Sequence, residues 1–435
     1  MNQPVQKHPS ALTFLDGACG TQMQKRGMPA NVCPELWAIE NPHALSSIYQ
    51  AYIDAGAQNL LTFTFGANRH KLAEYGLADR ADELNIALAR IAKNAIGPDQ
   101  RIGGDIGPLG SLLEPLGDIP FEEAVDIFRQ QAAALAEGGA AYISIETMLD
   151  IQEARAAVIG AREACDLPIF ATLTFENGRT LTGTTPSAAI VTLQSLGVCA
   201  IGSNCGSGPV QMLPVIQEMS QYATVSLIAK PNAGLPKLVD GETIYDMSPS
   251  DFALQAEQLA LSGARFIGGC CGSTPDHIRA LHDRLKDLRF ISPPTDARNM
   301  LSSARACKEF TDAVMMGNIN LASHPEWIHD ILDEDYDDIL EMIDEIDSAQ
   351  LLCICTKLNN QPPDEEVSML IGITQALSNY TPLPLAFRPS SRQAAEAALR
   401  IYPGRALILL DQAINESERL AITRCANHYG ALILH

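Results

Sequence analysis

The sequence predicts an α/β protein: a (β/α)8 barrel over residues 1–288, a linker at 289–302, and a smaller α/β domain over 303–435. Three observations carry this. Short β-rich runs alternate with amphipathic segments eight times before residue 288. Nearly all of these runs end in or beside Gly, Asp, Thr or Cys, where the chain would turn toward a helix. The eight units occupy just under 290 residues, close to the ~250 typical of such a barrel. An open doubly wound sheet shares the alternation, but the count of eight favours closure. A chain of 435 residues is also too long for one ordinary domain.

In order, the strand candidates are "LTFLDG" (12–17), "NLLTFTF" (59–65), "RIGGDIG" (101–107) and "AYISIET" (141–147). They continue with "PIFATLTF" (168–175), "CAIGSN" (199–204), "VSLIAKP" (225–231) and "RFIGGC" (265–270). Helices fit between them. "HALSSIYQAYIDAGA" precedes the second strand. "FEEAVDIFRQQAAALAEGG" precedes the fourth, with Phe121, Val125, Phe128 and Ala132 near helical spacing. Its acidic start and glycine end suit the helix dipole and a C-cap. "SPSDFALQAEQLALSG" opens on a Ser cap and closes on Gly.

"KDLRFISPPTDARNM" (286–300) has linker composition: charged, then Pro-Pro, then polar. Beyond it, "DILDEDYDDILEMIDEID" is strongly acidic but keeps Ile and Leu at helical spacing, the pattern of a solvated helix face. Alternation then resumes with "QLLCICT" (350–356), "PLPLAF" (382–387), "RALILL" (405–410) and "ALILH" at the end. Helices are expected near 364–378, 391–401 and 416–428. With a weak strand at "AVMMG" (313–317), at most five strands result: a small α/β domain, or a barrel cut short.

The net charge of −22 argues against nucleic acid or an anionic membrane as partner, since both need cationic surface. No run reaches the ~18 apolar residues of a membrane span. "MNQPVQKHPS" lacks the apolar core of a signal peptide. Eleven cysteines is an odd number without framework spacing. A cytoplasm with reduced thiols fits best, and there clustered cysteines mean metal or catalysis more often than disulfides.

Three cysteines stand where two strands end: Cys205 in "SNCGSGP", Cys270 and Cys271 in "GGCCGSTP". Strands six and eight of a barrel are neighbours but one, so their C-terminal ends can converge over the mouth, where such folds carry their chemistry. Three thiolates around one tetrahedral zinc leave a fourth position open. Adjacent strand residues point to opposite faces, so Cys270 and Cys271 reach one metal only if the backbone leaves strand geometry. Gly268, Gly269 and Gly272 permit that. Core filling and a vicinal disulfide are the competing readings of the same residues. Cys19 and Cys199 are read as packing cysteines.

A zinc held by three thiolates is a weak Lewis acid, poorly suited to activating water and well suited to binding another thiol. A free thiol, with a pKa of about 8.5, is mostly protonated at neutral pH, and a cation stabilises the thiolate. Attack on an electrophilic carbon is the simplest chemistry that follows. Other strand ends supply substrate contacts: Asp16-Gly17-Ala18, with the glycine admitting close backbone approach, and Glu146, a carboxylate for a substrate ammonium. Asp150 reads equally as an N-terminal helix acid. "KPNAG" (230–234), with Asn232, shapes the pocket.

Residues 12–280 resemble the homocysteine S-methyltransferase domain, shared by cobalamin-dependent methionine synthases and betaine–homocysteine methyltransferases. "LDGACGTQMQ" (15–24), "TFTFGAN" (62–68), "DIGPLG" (105–110), "ETMLDIQEA" (146–154), "SNCGSGP" (203–209), "KPNAGLP" (230–236) and "GGCCGSTPDHI" (268–278) carry the likeness, in the family's order. The resemblance implies zinc on Cys205, Cys270 and Cys271, with the homocysteine thiolate in the fourth position and methionine as product. It also implies that Glu146 and the Asp16–Ala18 backbone hold the amino-acid head.

The C-terminal part is similar, more faintly, to the pterin-binding domain of cobalamin methionine synthases, through "LPLAFRPSSRQAAEAALRIYPGRALIL" (383–409) and "GNIN" (317–320). Arg388-Pro389 precede Ser390-Ser391 where the family has Asp, and "GNIN" lacks the family's Glu. A partial pterin-binding-like barrel is therefore expected, without a complete folate site. The resemblance points to a separate methylated corrinoid protein as methyl donor, with betaine or S-methylmethionine as the small-molecule alternative. A non-catalytic zinc or thiol binder is the competing function.

Overall fold

The computed structural model describes residues 11–235, 237–239, 242–289, 299–346, 348–356 and 362–434. The chain divides into two units: Met1–Thr182 with Val198–Thr295, and Gly183–Gly197 with Asp296–His435. The linker expected at 289–302 lies mostly outside the described residues.

In the first unit, eight parallel strands follow the predicted runs: β1 (Thr13–Phe14), β2 (Asn59–Leu61), β3 (Arg101–Ile106), β4 (Tyr142–Met148), β5 (Ile169–Leu173), β6 (Ala200–Asn204), β7 (Ser226–Lys230) and β8 (Ala264–Ile267). From β2 to β8 each strand pairs with its successor, and β8 then pairs with β1. A parallel bridge between Leu15 and Asn59 joins β1 to β2, helped by Gln58 N donating to Phe14 O at 2.8 Å. This cyclic order is that of a (β/α)8 barrel and rules out the doubly wound sheet, whose order reverses at a switch point.

One face of each strand points into the barrel, and along that face polarity rises toward the C-terminal end. β4 reads Tyr142, Ser144, Glu146; β5 reads Phe170, Thr172; β7 reads Ile228, Lys230. The lower layer is apolar: Tyr142, Phe170, Ala200, Ile228 and Phe266 form one cluster. The Tyr142 and Phe170 ring centroids are 4.6 Å apart, and those of Phe170 and Phe266 4.8 Å. Burying Phe170, Ile228 and Phe266 contributes roughly 1.5–3 kcal/mol each. The packed lower layer leaves the upper, polar layer as the floor of a site.

The helices follow the same logic. Phe121–Glu137 buries Val125, Phe128 and Ala132 and ends at Gly138. Pro249–Leu261 is capped by Ser248, whose Oγ accepts from Asp251 N at 3.1 Å. None of the described helices is long and apolar enough to cross a membrane.

In the second unit, five parallel strands pair in sequence order: β9 (Met316–Asn320), β10 (Leu351–Cys355), β11 (Leu385–Arg388), β12 (Leu407–Leu409) and β13 (Leu432–Leu434). Consecutive parallel pairing without reversal is half a barrel's topology. Cys353, Ala386 and Leu407 on one face pack against Leu301, which belongs to an antiparallel hairpin of Met300–Ser302 with Cys307–Glu309. Thr192 Oγ1, on the helix Pro186–Ser195 of the same unit, lies 2.9 Å from Ser302 Oγ.

Three local features depart from the sequence expectation. The hairpin was not expected. The weak strand runs over 316–320 rather than 313–317, because Ile319 is the side chain that reaches the core while Met315 is exposed. The acidic stretch forms two short helices, Trp327–Leu332 and Asp337–Asp344, because Glu334 turns the chain with φ 64°.

Candidate functional site

The sulfurs of Cys205, Cys270 and Cys271 all lie within 4.8 Å of one another, and Cys205 Sγ is 3.8 Å from Cys271 Sγ. β6 ends at Asn204, and Cys205 turns sharply with φ 59°, followed by Gly206 at 68°. A non-glycine residue rarely adopts that region, and here it swings the thiol inward. Cys205 N donates to Lys230 O at 3.1 Å, which fixes the turn to β7.

β8 stops at Ile267, so Cys270 and Cys271 are outside strand geometry. Their backbone is tied to the next loop: Cys270 N donates to Pro231 O at 2.8 Å, and Ala233 N donates to Cys271 O at 2.9 Å. Ser273 Oγ donates to Cys270 O at 2.6 Å. A Cβ on Gly269 would lie 2.4 Å from that same Oγ, so only glycine fits. Asn204 stands behind the sulfurs. Its Oδ1 accepts from Thr147 N at 2.8 Å, and its Nδ2 approaches Cys270 Sγ at 3.8 Å.

The donor set fits a soft tetrahedral cation. Arms of about 2.3 Å give tetrahedron edges of about 3.8 Å, the separation of Cys205 and Cys271. Hydrogen bonds from Cys205 and Cys270, and one from Tyr245, hold the Cys271 thiol well below the usual range. The same sharing pushes Cys270 up. Three sulfurs thus share charge in the bare protein, and a divalent cation would draw the remaining protons off.

The sulfurs open onto a cavity of 580 Å³ at the C-terminal ends of the strands, lined also by Asp16, Gly17, Ala18, Cys19, Phe65, Lys71, Asp105, Glu146 and Lys230. Lys230 Nζ donates to Glu146 Oε2 at 2.7 Å and lies 3.9 Å from Asp16 Oδ1. Burial works against the Lys230 charge, but Glu146 and Asp16 outweigh it and hold the ammonium above its ordinary range. Asp16 Oδ2 accepts from Leu61 N at 2.8 Å. Burial still pushes its carboxyl up to about 6, against the pull of Lys230. Burial, and next Glu146, push Asp105 higher than a normal carboxylate.

The β1 loop is fixed from beneath. Ala18 N donates to Ser273 Oγ at 3.1 Å, and Tyr52 OH donates to Ala18 O at 2.8 Å. A Cβ on Gly17 would meet Ser273 Oγ at 2.6 Å and Tyr52 OH at 2.9 Å, so the close approach here requires glycine.

Of the residues singled out in the sequence, the three cysteines, Asp16, Gly17, Ala18 and Glu146 line this one cavity. Asn232 is buried beside it, its N donating to Ser207 O at 3.0 Å, and does not line it. Asp150 caps a helix, accepting from Glu153 N at 2.8 Å. Cys19, read as packing, touches the core but also faces the cavity. Sequence reasoning gave Lys230 no role beyond its place in "KPNAG", and gave none to Asp105, Asn204 or Tyr245. The signal for the first two was a charged residue at the end of an apolar strand. Tyr245, distant in sequence, offered none.

The family model for homocysteine S-methyltransferase matches residues 13–285. Methionine synthase of Mycobacterium tuberculosis (strain ATCC 25618 / H37Rv) is 30% identical over 420 residues, covering 90% of this chain and 35% of that protein. Methionine synthase of Mycobacterium leprae (strain TN) is 29% identical over 425 residues, with the same coverage. The chain thus spans about a third of the length of these relatives. Among solved structures, the oxidized form of the homocysteine methyltransferase MmuM from Escherichia coli is 25% identical with a TM-score of 0.54. It covers 63% of this chain and 96% of that one. The metallated form of MmuM, 24% identical with a TM-score of 0.54, shares the fold.

Proposed function

The chain belongs to the homocysteine S-methyltransferase family, and from that membership we propose that it methylates the thiol of homocysteine to give methionine, with zinc held by Cys205, Cys270 and Cys271. The observation that carries this reading is the meeting of three sulfurs, from two separate strand ends, at the wall of one cavity. Zinc bound there would lower the pKa of a substrate thiol so that it is a nucleophile at neutral pH.

The chain's own residues do the rest. Asn204, Ser273 and the loop at 231–233 hold the cysteines in position. The β1 loop, with Asp16, Gly17 and Ala18, and the Glu146 carboxylate border the space where the amino-acid head would lie. Phe65 and Met28 give the same cavity apolar wall. In the transfer, a sulfur–carbon bond forms and the donor retains the electron pair of the bond that breaks.

For the donor we favour a separate protein carrying a methylated corrinoid. Similarity to methionine synthases extends over 90% of the chain, beyond the barrel. Exposed apolar side chains also follow several barrel strands: Leu116, Leu181 and Leu235 on loops, Tyr75 in a short 3-10 turn and Val210 in the first turn of the helix Pro209–Ser220. Apolar side chains exposed around the mouth suit a protein donor approaching it. A cytoplasmic setting fits a site that needs reduced thiols.

The test is to supply zinc-loaded protein with homocysteine and, in turn, a methylated corrinoid protein, methylcobalamin, S-methylmethionine and betaine. Methionine formed in step with consumption of one donor is expected. Homocysteine binding with no donor ever consumed would overturn the enzymatic reading in favour of a thiol-binding protein.

A further inference from the structure

The cavity floor holds more acid than its buried ammonium can match. Asp16, Asp105 and Glu146 face Lys230, and Lys230 Nζ is committed to Glu146 at 2.7 Å. Asp105 stands apart from that pair. It is 5% exposed, it lines the cavity, and its Oδ1 accepts no hydrogen bond among the described residues. Its backbone is fully engaged: N donates to Thr62 Oγ1 at 2.9 Å, and O accepts from Thr64 Oγ1 at 2.7 Å. The two threonines fix the residue and leave Oδ1 unanswered. Lys71, the other ammonium lining the cavity, lies over the Phe65 ring at 5.1 Å and makes no ion pair with Asp105. Asp16 Oδ1 is likewise without a hydrogen bond.

A buried carboxylate without a partner is strongly disfavoured, and an incoming cation relieves that. We propose that Asp105 determines specificity for the ammonium group of the substrate amino acid, receiving it together with Asp16, while Glu146 serves as the counter-ion of Lys230. This rests on the reading of the cavity as a homocysteine site, and it moves the ammonium contact from Glu146 to Asp105. The chemistry recognised is a primary ammonium carried a few atoms from a thiol.

The experiment is calorimetry on the zinc-loaded full chain with two thiols: homocysteine, and 4-sulfanylbutanoate, which keeps the thiol, chain and carboxylate but lacks the amine. Wild type should prefer homocysteine. In Asp105→Asn that preference should fall by roughly 30-fold or more, with 4-sulfanylbutanoate binding unchanged or tighter. Asp105→Ser serves as a second variant should the first fail to fold, with zinc content and melting temperature as the check on both.

Equal weakening of both thiols, or no loss of preference, would show a merely structural Asp105 and overturn the inference. A wild type that binds both thiols equally would overturn it too, while leaving the thiol site intact. A wild type that binds neither would sink the homocysteine reading, and this inference with it.

Discussion

Lys230 Nζ lies 2.7 Å from Glu146 Oε2 although 84 residues of chain separate them. Both side chains are nearly closed to solvent, and the pair ties the upper end of β7 to that of β4. Removing one partner of a buried pair leaves a bare charge, a loss of about 3–5 kcal/mol. Lys230→Met should be destabilised by that order, because Asp16, 3.9 Å from the ammonium, loses its cation as well. Glu146→Gln should lose less, since two carboxylates still face the lysine. Denaturant unfolding of both variants checks the ranking, and Lys230→Met as stable as wild type would contradict it.

Glu153 makes stability depend on pH. Burial holds its carboxyl up at about 7, above the ~4.3 of an exposed glutamate. Below pH ~4 it is protonated in folded and unfolded chain alike, and the contribution is fully present. As pH rises the unfolded chain ionises first, so about 3 kcal/mol is lost by the time pH passes the folded value. Glu153→Gln keeps an acceptor for Leu109 N, which now donates at 2.6 Å. The variant should show a flatter stability profile between pH ~4 and ~7; an unchanged slope in denaturant titrations would count against this account.

Gly202 on β6 sits where a Cβ would lie 1.8 Å from Ile228 O. The obstacle is backbone of the neighbouring strand, so it cannot rotate away. Gly202→Ala should cost about 1–3 kcal/mol or more by overpacking, read as a lowered melting temperature. Since β6 leads directly into Cys205, reduced zinc content should accompany it.

Asn204 orients the sulfur cluster from behind. Its amide bridges Thr147 and Cys270 Sγ. Loss of such an outer-shell partner typically weakens metal binding about 10–100-fold. Asn204→Ala should show that loss in a competition titration against a chelator, with the fold retained by circular dichroism. Wild-type affinity in the variant would remove Asn204 from the site.

Much of this was legible in the sequence. Eight apolar runs with polar ends marked the barrel strands, because a strand buried on both faces reads as continuous apolar sequence until it emerges at the mouth. Cys205, Cys270 and Cys271 stood out because glycines surround them. Other parts were not legible, for physical reasons. The partner of Lys230 is fixed only when barrel closure brings β4 and β7 into reach. Asp105 is set apart only by an Oδ1 without a hydrogen bond, which no sequence displays. The hairpin at 300–309 has too few residues for periodicity to register, and the helix break at Glu334 occurs at a residue with no turn preference.

The central claim is one zinc on three cysteine sulfurs with a place kept for the substrate thiol. X-ray absorption spectroscopy at the zinc edge tests it most directly. The zinc-loaded protein should show three sulfur neighbours at about 2.3 Å and one lighter neighbour, changing to four sulfurs when homocysteine is added. Fewer than three sulfurs in the free protein, or a coordination shell that homocysteine leaves unaltered, would contradict it.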